Sequence, residues 1–301
     1  MSPEGPQPAR RPNTPRSNGS RTLPEAQVTA QVTRGWTTPG GTLGELTERS
    51  AVRARESALA RRELETIVAG LGAAPDFAAA LRRPTVAVIA ELKRRSPSKG
   101  ALDESLDAAE RTRTYELGGA AALSILTEPS RFGGSLSDLR DARAAVALPL
   151  LRKDFITSAV QLLEARAFGA SAALLIARAL RPAELRALAA EAVFLGLTPL
   201  IEVRDEAELA EAVAIERAVI GVNNRDLETL VIDPAVGARL IPQIPADRIA
   251  VYESGIASAD DVRRAAALGA DAVLVGSLLS TSADPAQAVR ALAAEVRRPR
   301  G

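Results

Sequence analysis

The chain has 301 residues, of which 47% are hydrophobic and 25% charged, and its formal net charge is only +1. This composition is that of an ordinary globular protein with one large domain or two smaller ones. It gives no overall electrostatic reason to expect nucleic acid or an anionic membrane as a partner. Cysteine and histidine are both absent, which excludes disulfides, a catalytic thiol, an imidazole base and zinc sites with nitrogen or sulfur ligands. Proton transfer must therefore use Asp, Glu, Lys or Tyr.

The N-terminal segment differs in composition from the rest of the chain. Residues 1–41 are rich in Pro, Gly, Ser, Thr and Arg and show no apolar periodicity, so we predict a disordered tail there. Arg10, Arg11, Arg16 and Arg21 would suit a nucleic-acid arm, but so few charges favour a solvated tail. No apolar run is long enough for a membrane helix, and the apolar core of a secretory signal is missing. A cytoplasmic protein is expected.

Helical periodicity begins at residue 42. Thr42 and Glu45 have the spacing of a capping box, and the pattern continues to residue 71. A second short helix is expected over residues 74–83. We assign residues 42–301 to one domain that starts with these helices.

A regular alternation of short apolar segments and helical stretches follows. Eight buried strands separated by helices predict a parallel sheet, and about 250 residues of this pattern are typical of an α/β (β/α)8 TIM barrel. An open doubly wound sheet is the alternative, but it usually carries a Gly-rich fingerprint after its first strand. That fingerprint is missing here. The predicted strands cover residues 86–90, 121–126, 148–151, 172–176, 198–201, 219–222, 249–252 and 271–275.

Polar side chains follow the predicted strands at their carboxyl ends, where barrels hold their active sites. Any one of these charges would serve equally well as a helix cap or in an ion pair. As a set facing one mouth they would be costly unless they are used. The sequence therefore predicts an acid–base site, with Glu91 half inside the barrel at its rim. The residues concerned are Glu91, Lys93, Lys153, Glu202, Asn223, Arg225 and Glu253.

Small residues follow the last two predicted strands, in the segments YESGI and LVGSLL. Gly255 and Gly276 would let the main chain approach an anion, and Ser254 and Ser277 offer hydroxyl groups. A helix starting at Ser277 would add the positive end of its dipole. Tight turns alone would also explain the glycines, but this is the usual place of a phosphate site in such barrels.

Several longer motifs occur in one order along the chain: AELKRRSPSKG, LTEPSRFGGS, LLRKDFI, IEV, IGVNNRDL, YESGI and LVGS. Over residues 42–298 the chain closely resembles the indole-3-glycerol-phosphate synthase family. The resemblance implies ring closure of 1-(2-carboxyphenylamino)-1-deoxyribulose 5-phosphate to indole-3-glycerol phosphate, with loss of CO2 and water, in tryptophan biosynthesis. It implies no cofactor and no metal. Tyr252, where a small residue is more usual, and the Pro/Arg-rich tail depart from the family pattern.

The resemblance also implies catalytic roles. Lys153 would protonate the ketone oxygen during ring closure, and Lys93 and Glu202 are candidates for the acid and base of the dehydration, in either order. Glu91 would hold the amine nitrogen and Lys153. The polar network would be completed by Asn223 and Glu253.

Binding roles are implied in the same way. Lys93 and Arg225 would orient the substrate carboxylate, while Leu126, Phe132 and Phe155 would pack on the aryl ring. The expected phosphate site consists of Ser96, Ser254, Gly255, Gly276 and Ser277. The partner expected is this small molecule, bound by a monomer, with other tryptophan-pathway enzymes as candidate protein partners.

Two other functions compete with this interpretation. Phosphoribosylanthranilate isomerase is another phosphosugar barrel, but it lacks the ELKRRSPSKG opening and usually relies on a cysteine, which this chain does not have. A catalytically silent barrel that binds a phosphorylated regulator is the second, and the intact set of acids and bases disfavours it.

Overall fold

The computed structural model describes residues 1–2, 36–97 and 100–300. Residues 3–35, which make up most of the predicted tail, lie outside the described residues, as do Ser98 and Lys99 of the first long motif. Trp36–Gly301 forms one compact unit. Disorder over residues 1–41 and a domain boundary after residue 41 stay predictions.

The eight predicted strands form a closed, all-parallel barrel. Each strand pairs with the next along the chain, and the last closes on the first through pairs such as Ala87↔Ala272. The barrel prediction is therefore confirmed and the open sheet is excluded. The strands are β1 (Ala87–Leu92), β2 (Ala122–Leu126), β3 (Leu150–Lys153), β4 (Ala172–Ile176), β5 (Thr198–Val203), β6 (Val219–Asn223), β7 (Ala250–Glu253) and β8 (Ala272–Val275).

Helices surround the barrel and precede it. Short 3-10 turns cover Ala58–Ala60, Ala177–Ala179 and Ile241–Gln243, and residues 95–96 pair with 100–101 in a small hairpin after β1 that the sequence did not predict. The α-helices are α1 (Gly41–Ser57), α2 (Arg61–Ala69), α3 (Phe77–Leu81), α4 (Ala108–Leu117), α5 (Pro129–Phe132), α6 (Leu136–Ala145), α7 (Ala159–Ala167), α8 (Pro182–Phe194), α9 (Glu206–Val213), α10 (Ala235–Leu240), α11 (Ala259–Ala267), α12 (Ser277–Ser280) and α13 (Pro285–Leu292).

The start of α1 differs from the prediction. Gly40 is its N-cap residue and no side chain caps it, so the predicted Thr42–Glu45 capping box is wrong. The amide of Thr42 instead donates to the carbonyl of Glu228, in the loop after β6, over 3.3 Å. A long-range contact thus replaces the local cap. The 3-10 turn at Ala58–Ala60 also divides the predicted single helix into α1 and α2.

Alternation along each strand separates two cores. On β1, Val88, Ala90 and Leu92 belong to the core shared with the outer helices, whereas Ile89 belongs to the core that fills the barrel. Phe77 of α3 and Leu46 of α1 join this inner core. Full burial of side chains of this size stabilises the fold by about 1.5–3 kcal/mol each, so the extra N-terminal helices are part of the barrel's own core.

Several strands continue past the ends that the sequence predicted. Glu91 and Glu202 lie inside β1 and β5, and Lys153, Asn223 and Glu253 end β3, β6 and β7. Backbone pairing continues at these positions, for example Glu91↔Ser124 and Asn223↔Glu253. Glu91 is only 3% exposed. It is thus fully buried, not half inside at the rim as predicted, because it shares the inward side of β1 with Ile89.

Candidate active site

A cavity of about 250 Å³ lies at the carboxyl ends of the strands. Its walls include every predicted site residue except Glu202. The Glu202 carboxylate nevertheless comes within 3.4 Å of the Lys153 ammonium, which does line the cavity. The fold therefore brings the whole predicted set together at one mouth. The predicted residues in the walls are Glu91, Lys93, Ser96, Leu126, Phe132, Lys153, Phe155, Asn223, Arg225, Glu253, Ser254, Gly255, Gly276 and Ser277.

Lys153 lies between carboxylates. Its Nζ is 3.4 Å from Oε2 of Glu202 and 3.7 Å from Oε2 of Glu253. Burial opposes its charge, but the charges of Glu202 and Glu91, together with that of Glu253 when it is ionised, outweigh this and hold the pKa of Lys153 above its usual value. Lys153 is therefore an ammonium group at neutral pH. It can donate to an oxygen on which negative charge develops.

Glu91 and Lys93 form a close ion pair, with 2.9 Å between Oε1 and Nζ. The hydroxyl of Ser124 donates to the other carboxylate oxygen over 3.5 Å. Burial alone would raise the pKa of Glu91, but the Lys93 and Lys153 charges lower it overall. A Cβ atom at Gly276 would overlap Oε1 of Glu91. Glycine at this position is therefore required by the ion pair as well as by any approach of an anion.

Glu253 shows a pKa shift opposite in direction to that of Glu91. Burial raises its pKa to about 8, the Glu202 and Glu91 charges add to the rise, and Lys153 opposes it. Its Oε1 is buried without a hydrogen-bond partner and lies against Gly221, where a Cβ atom would overlap it. The mouth thus holds Glu91 as an anion and Glu253 mostly as a neutral acid. Carboxyl groups whose pKa values diverge in this way can serve different steps of acid–base catalysis.

One part of the cavity wall is apolar. The rings of Phe132 and Phe155 have centroids 6.3 Å apart and are tilted by 38°. Further apolar residues of the wall were not among the residues predicted from the sequence. Alternation along β4 would have indicated Leu174 and Ile176, but no local signal marks those from α1 and from the loop after β6. These residues include Leu46, Leu174, Ile176, Leu227, Leu230 and Ile232.

The predicted phosphate ligands all reach the cavity. Ser254 (φ 64°) and Gly255 (φ 86°) are consecutive left-handed residues directly after β7. A left-handed conformation is unfavourable for serine, and such strain is concentrated at functional sites. Gly276 then leads into the short helix α12. Small residues and hydroxyl groups therefore line this part of the mouth.

Two kinds of site are missing from the described part of the chain. Among residues 1–2, 36–97 and 100–300, no group of three or more Asp, Glu, His or Cys side chains has the geometry to hold a metal ion. Within the same ranges, no helix has the length and apolar character needed to cross a membrane.

Similarity to known proteins agrees with this geometry. The family model "Indole-3-glycerol phosphate synthase" matches residues 46–292. The indole-3-glycerol phosphate synthase of Nocardioides sp. is 52% identical over 236 residues, covering 78% of this chain and 91% of that protein. The corresponding protein of Mycobacteroides abscessus is 49% identical over 244 residues, covering 80% and 89%.

Solved structures support the fold alone. The 3-hexulose-6-phosphate synthase of Salmonella typhimurium superposes with a TM-score of 0.56 at 15% identity, covering 69% of this chain and 97% of that one. With the extent of the family match and the identity to these relatives, the conclusion is direct. The chain belongs to the indole-3-glycerol phosphate synthase family, and its activity is the carboxy-lyase reaction of that family in tryptophan biosynthesis.

Proposed function

We propose that Lys153 is the acid that protonates the ketone oxygen when the aromatic carbon attacks it. The observation that carries this proposal is the position of its ammonium group in the cavity wall, 3.4 Å from Glu202 and 3.7 Å from Glu253. Burial favours proton transfer from the ammonium to a developing alkoxide, because the transfer neutralises both charges, whereas the neighbouring carboxylates hold the proton on the nitrogen until the alkoxide forms. CO2 then leaves because its loss restores the aromatic ring.

The dehydration needs an acid for the departing hydroxyl and a base for the ring proton. Lys93 and Glu202 are the groups proposed, since each is within ion-pair distance of an oppositely charged partner in the mouth. Ionised Glu91 would hold the substrate amine and steer Lys93. Asn223 and Glu253 would complete the network, with Glu253 as a neutral hydrogen-bond donor below pH 8.

Binding divides among three parts of the cavity. Phe132, Phe155 and Leu126 offer an apolar surface to the aryl ring. Lys93 and Arg225 would face the substrate carboxylate, and no cofactor is proposed. The phosphate would be held by Ser96, Ser254, Gly255, Gly276 and Ser277.

We further propose that the enzyme acts as a cytoplasmic monomer. One chain brings the predicted binding residues together around the cavity, and a substrate with both a phosphate and a carboxylate does not cross membranes unaided. Sedimentation equilibrium with and without substrate tests the monomer, and co-sedimentation with other tryptophan-pathway enzymes tests those partners. A substrate-dependent dimer would contradict the proposal.

The experiment that tests the roles is rapid-quench single turnover with Lys153→Met, Lys93→Met and Glu202→Gln, followed by product analysis. We expect Lys153→Met to block substrate consumption. Lys93→Met and Glu202→Gln should allow a decarboxylated, hydrated intermediate to accumulate. Normal ring closure in a folded Lys153→Met enzyme would remove the assignment.

A further inference from the structure

A buried ionic cluster surrounds Asp154, which directly follows Lys153 at the end of β3 and lines the same cavity. We call it the Asp154 cluster. Its members other than Arg53 are almost completely buried, although none of them has a role in the reaction as described so far. The cluster consists of Arg53, Thr127, Glu128, Arg152 and Asp154.

Asp154 is the centre of this cluster and is surrounded by donors. Its Oδ1 accepts from the Arg53 guanidinium and from the amide of Phe155, both over 2.8 Å. Its Oδ2 accepts from the hydroxyl of Thr127 over 2.8 Å and from Arg152 over 3.2 Å. Lys153 and Phe155 are its chain neighbours. The carboxylate therefore fixes the backbone between the proposed acid and an aryl contact.

Glu128 fixes the backbone that follows the neighbouring strand, β2, in the same way. Its carboxylate accepts from the amides of Ser130, Arg131 and Phe132, which orders the first turn of α5. The guanidinium of Arg53 is also 3.7 Å from Oε1 of Glu128. One side chain of α1 thus contacts both carboxylates that hold the two phenylalanine-bearing segments of the mouth.

Arg53 differs from the other members in two ways. It comes from the helix that precedes the barrel, and its side chain is 27% exposed whereas that of Asp154 is 1% exposed. Asp154 keeps three other donors if Arg53 is removed. Loss of Arg53 should therefore leave a folded barrel whose strand ends are less well fixed.

We propose that Arg53 is a positioning residue for ring closure: by bridging Asp154 and Glu128 it holds Lys153 and the Phe132–Phe155 pair in their productive arrangement. This rests on the role proposed for Lys153. Small displacements of a positioned acid are enough to slow a reaction substantially. The alternative is that Arg53 only attaches α1 to the barrel, in which case its loss would lower stability and leave kcat unchanged.

The test compares Arg53→Met and Arg53→Lys with Arg49→Met. Arg49 lies one turn earlier on the same helix and pairs with Glu45 over 2.9 Å at the surface, so its substitution controls for loss of an arginine from α1. At saturating substrate and well below each variant's melting temperature, we expect kcat to fall about tenfold in Arg53→Met. Arg53→Lys should recover part of it, and Arg49→Met should match the unmodified enzyme.

A double-mutant cycle with Asp154→Asn separates positioning from attachment. If Arg53 acts through Asp154, adding Arg53→Met to Asp154→Asn causes little further loss of kcat. Unchanged kcat in Arg53→Met with a lowered melting temperature overturns the proposal, and so do fully additive losses. If Arg53→Met does not fold, Arg53→Lys decides by the same kcat criterion. Normal turnover by Lys153→Met would instead refute the role of Lys153, which none of the Arg53 outcomes does.

Discussion

Buried carboxylates at the two ends of the barrel differ in how many partners their oxygens have. At the end where the strands begin, Asp271 precedes β8 and both of its oxygens have partners. Oδ1 accepts from Arg297 over 2.6 Å and Oδ2 accepts from the amide of Ala250 over 2.8 Å, while the Arg300 guanidinium forms an ion pair with Oδ2 at 2.8 Å. At the mouth, Glu253 ends β7 with one buried oxygen that has no partner.

This difference separates a stabilising end from a reactive one. The pairing of Asp271 ties the C-terminal segment to the barrel. The mouth instead keeps Glu253 short of donors, its pKa raised to about 8, and follows it with Ser254 in a left-handed conformation. Such arrangements cost stability, which natural enzymes accept where chemistry requires it. Substitutions at the two ends should therefore have opposite consequences.

The largest expected effect on activity comes from Lys153→Ala. We expect kcat to fall by about 10³-fold or more, because a positioned proton donor and its charge are both lost. Affinity for inorganic phosphate should change little, since the predicted phosphate ligands are other residues. Indole fluorescence measures the first quantity and calorimetry the second. Near-normal turnover in the folded variant would contradict this difference between the two ends.

Asp271→Ala should give the opposite result. Removing it leaves Arg300, whose side chain is 3% exposed, without its carboxylate, so we expect a loss of about 2–4 kcal/mol in the free energy of unfolding. Turnover at 25 °C should stay within about twofold of the unmodified enzyme. Urea denaturation and steady-state kinetics check the two parts. A tenfold fall in kcat with unchanged stability would contradict the prediction that Asp271 stabilises the fold without serving the reaction.

Glu253→Gln sharpens the comparison through pH. The pKa of Glu253 is about 8 in the folded protein and about 4.3 in the unfolded chain. Folding therefore takes up a proton between these values, and stability from this group is present below pH 4.3 and lost as pH rises towards 8. The glutamine variant lacks this dependence of stability on pH. Its melting temperature relative to the unmodified enzyme should rise across this window and level off above it.

Melting curves at half-unit pH steps measure that difference. A difference that is constant from pH 5 to 9 would mean that Glu253 is not held neutral at the mouth. Asp261→Asn offers a carboxyl control of the opposite sign, since hydrogen bonds and Arg264 outweigh its partial burial and lower the pKa of Asp261. The melting temperature of Asp261→Asn relative to the unmodified enzyme should fall as pH rises through the acidic range, because the unmodified enzyme gains the stabilisation of its ionised carboxylate there.

The smallest effects are expected from changes that touch neither end. Deleting residues 1–35 should alter turnover and melting temperature little, because this segment has too little apolar surface to offset the entropy of ordering it. Deleting residues 1–60 removes Leu46 and Arg53 and should lower both. Equal losses in the two truncations would show that the tail is a working part of the enzyme.

Chelation is also expected to have no effect. The reaction as proposed uses only protein acids, bases and cations, and the described residues offer no metal cluster. Turnover in EDTA should equal that in buffer. Loss in EDTA, restored by a divalent ion, would overturn the assignment of every proton transfer above.

Much of the barrel and of its polar mouth could be predicted from the sequence, because strand periodicity and strand ends are local. Glu91, Lys153 and Glu202 were found in this way. The burial of Glu91 was underestimated, since the apolar run before it ends earlier than the hydrogen-bonded strand does. Whether a strand continues through a charged residue depends on partners such as Ser124, which belong to other strands.

Local sequence patterns could not predict contacts between residues that are far apart in the chain. The N-cap of α1 is replaced by Glu228, and Arg53 contacts a carboxylate 101 positions away in the chain. The role of Gly221 is similar, because only the fold shows that Glu253 occupies the space of its missing side chain. Tyr252, a departure from the family pattern, likewise packs its ring against Gly237 of α10.

The closure of β1 on β8 has a consequence for synthesis of the protein. β2 is available to β1 almost at once, but β8 begins at Ala272. At ribosomal rates of 5–20 residues per second, the other side of β1 waits roughly 10–40 s for its partner. During that time its backbone groups form an open template for mispairing with other nascent chains. Stalled or prematurely terminated chains that lack β8 should therefore depend on chaperones and aggregate without them.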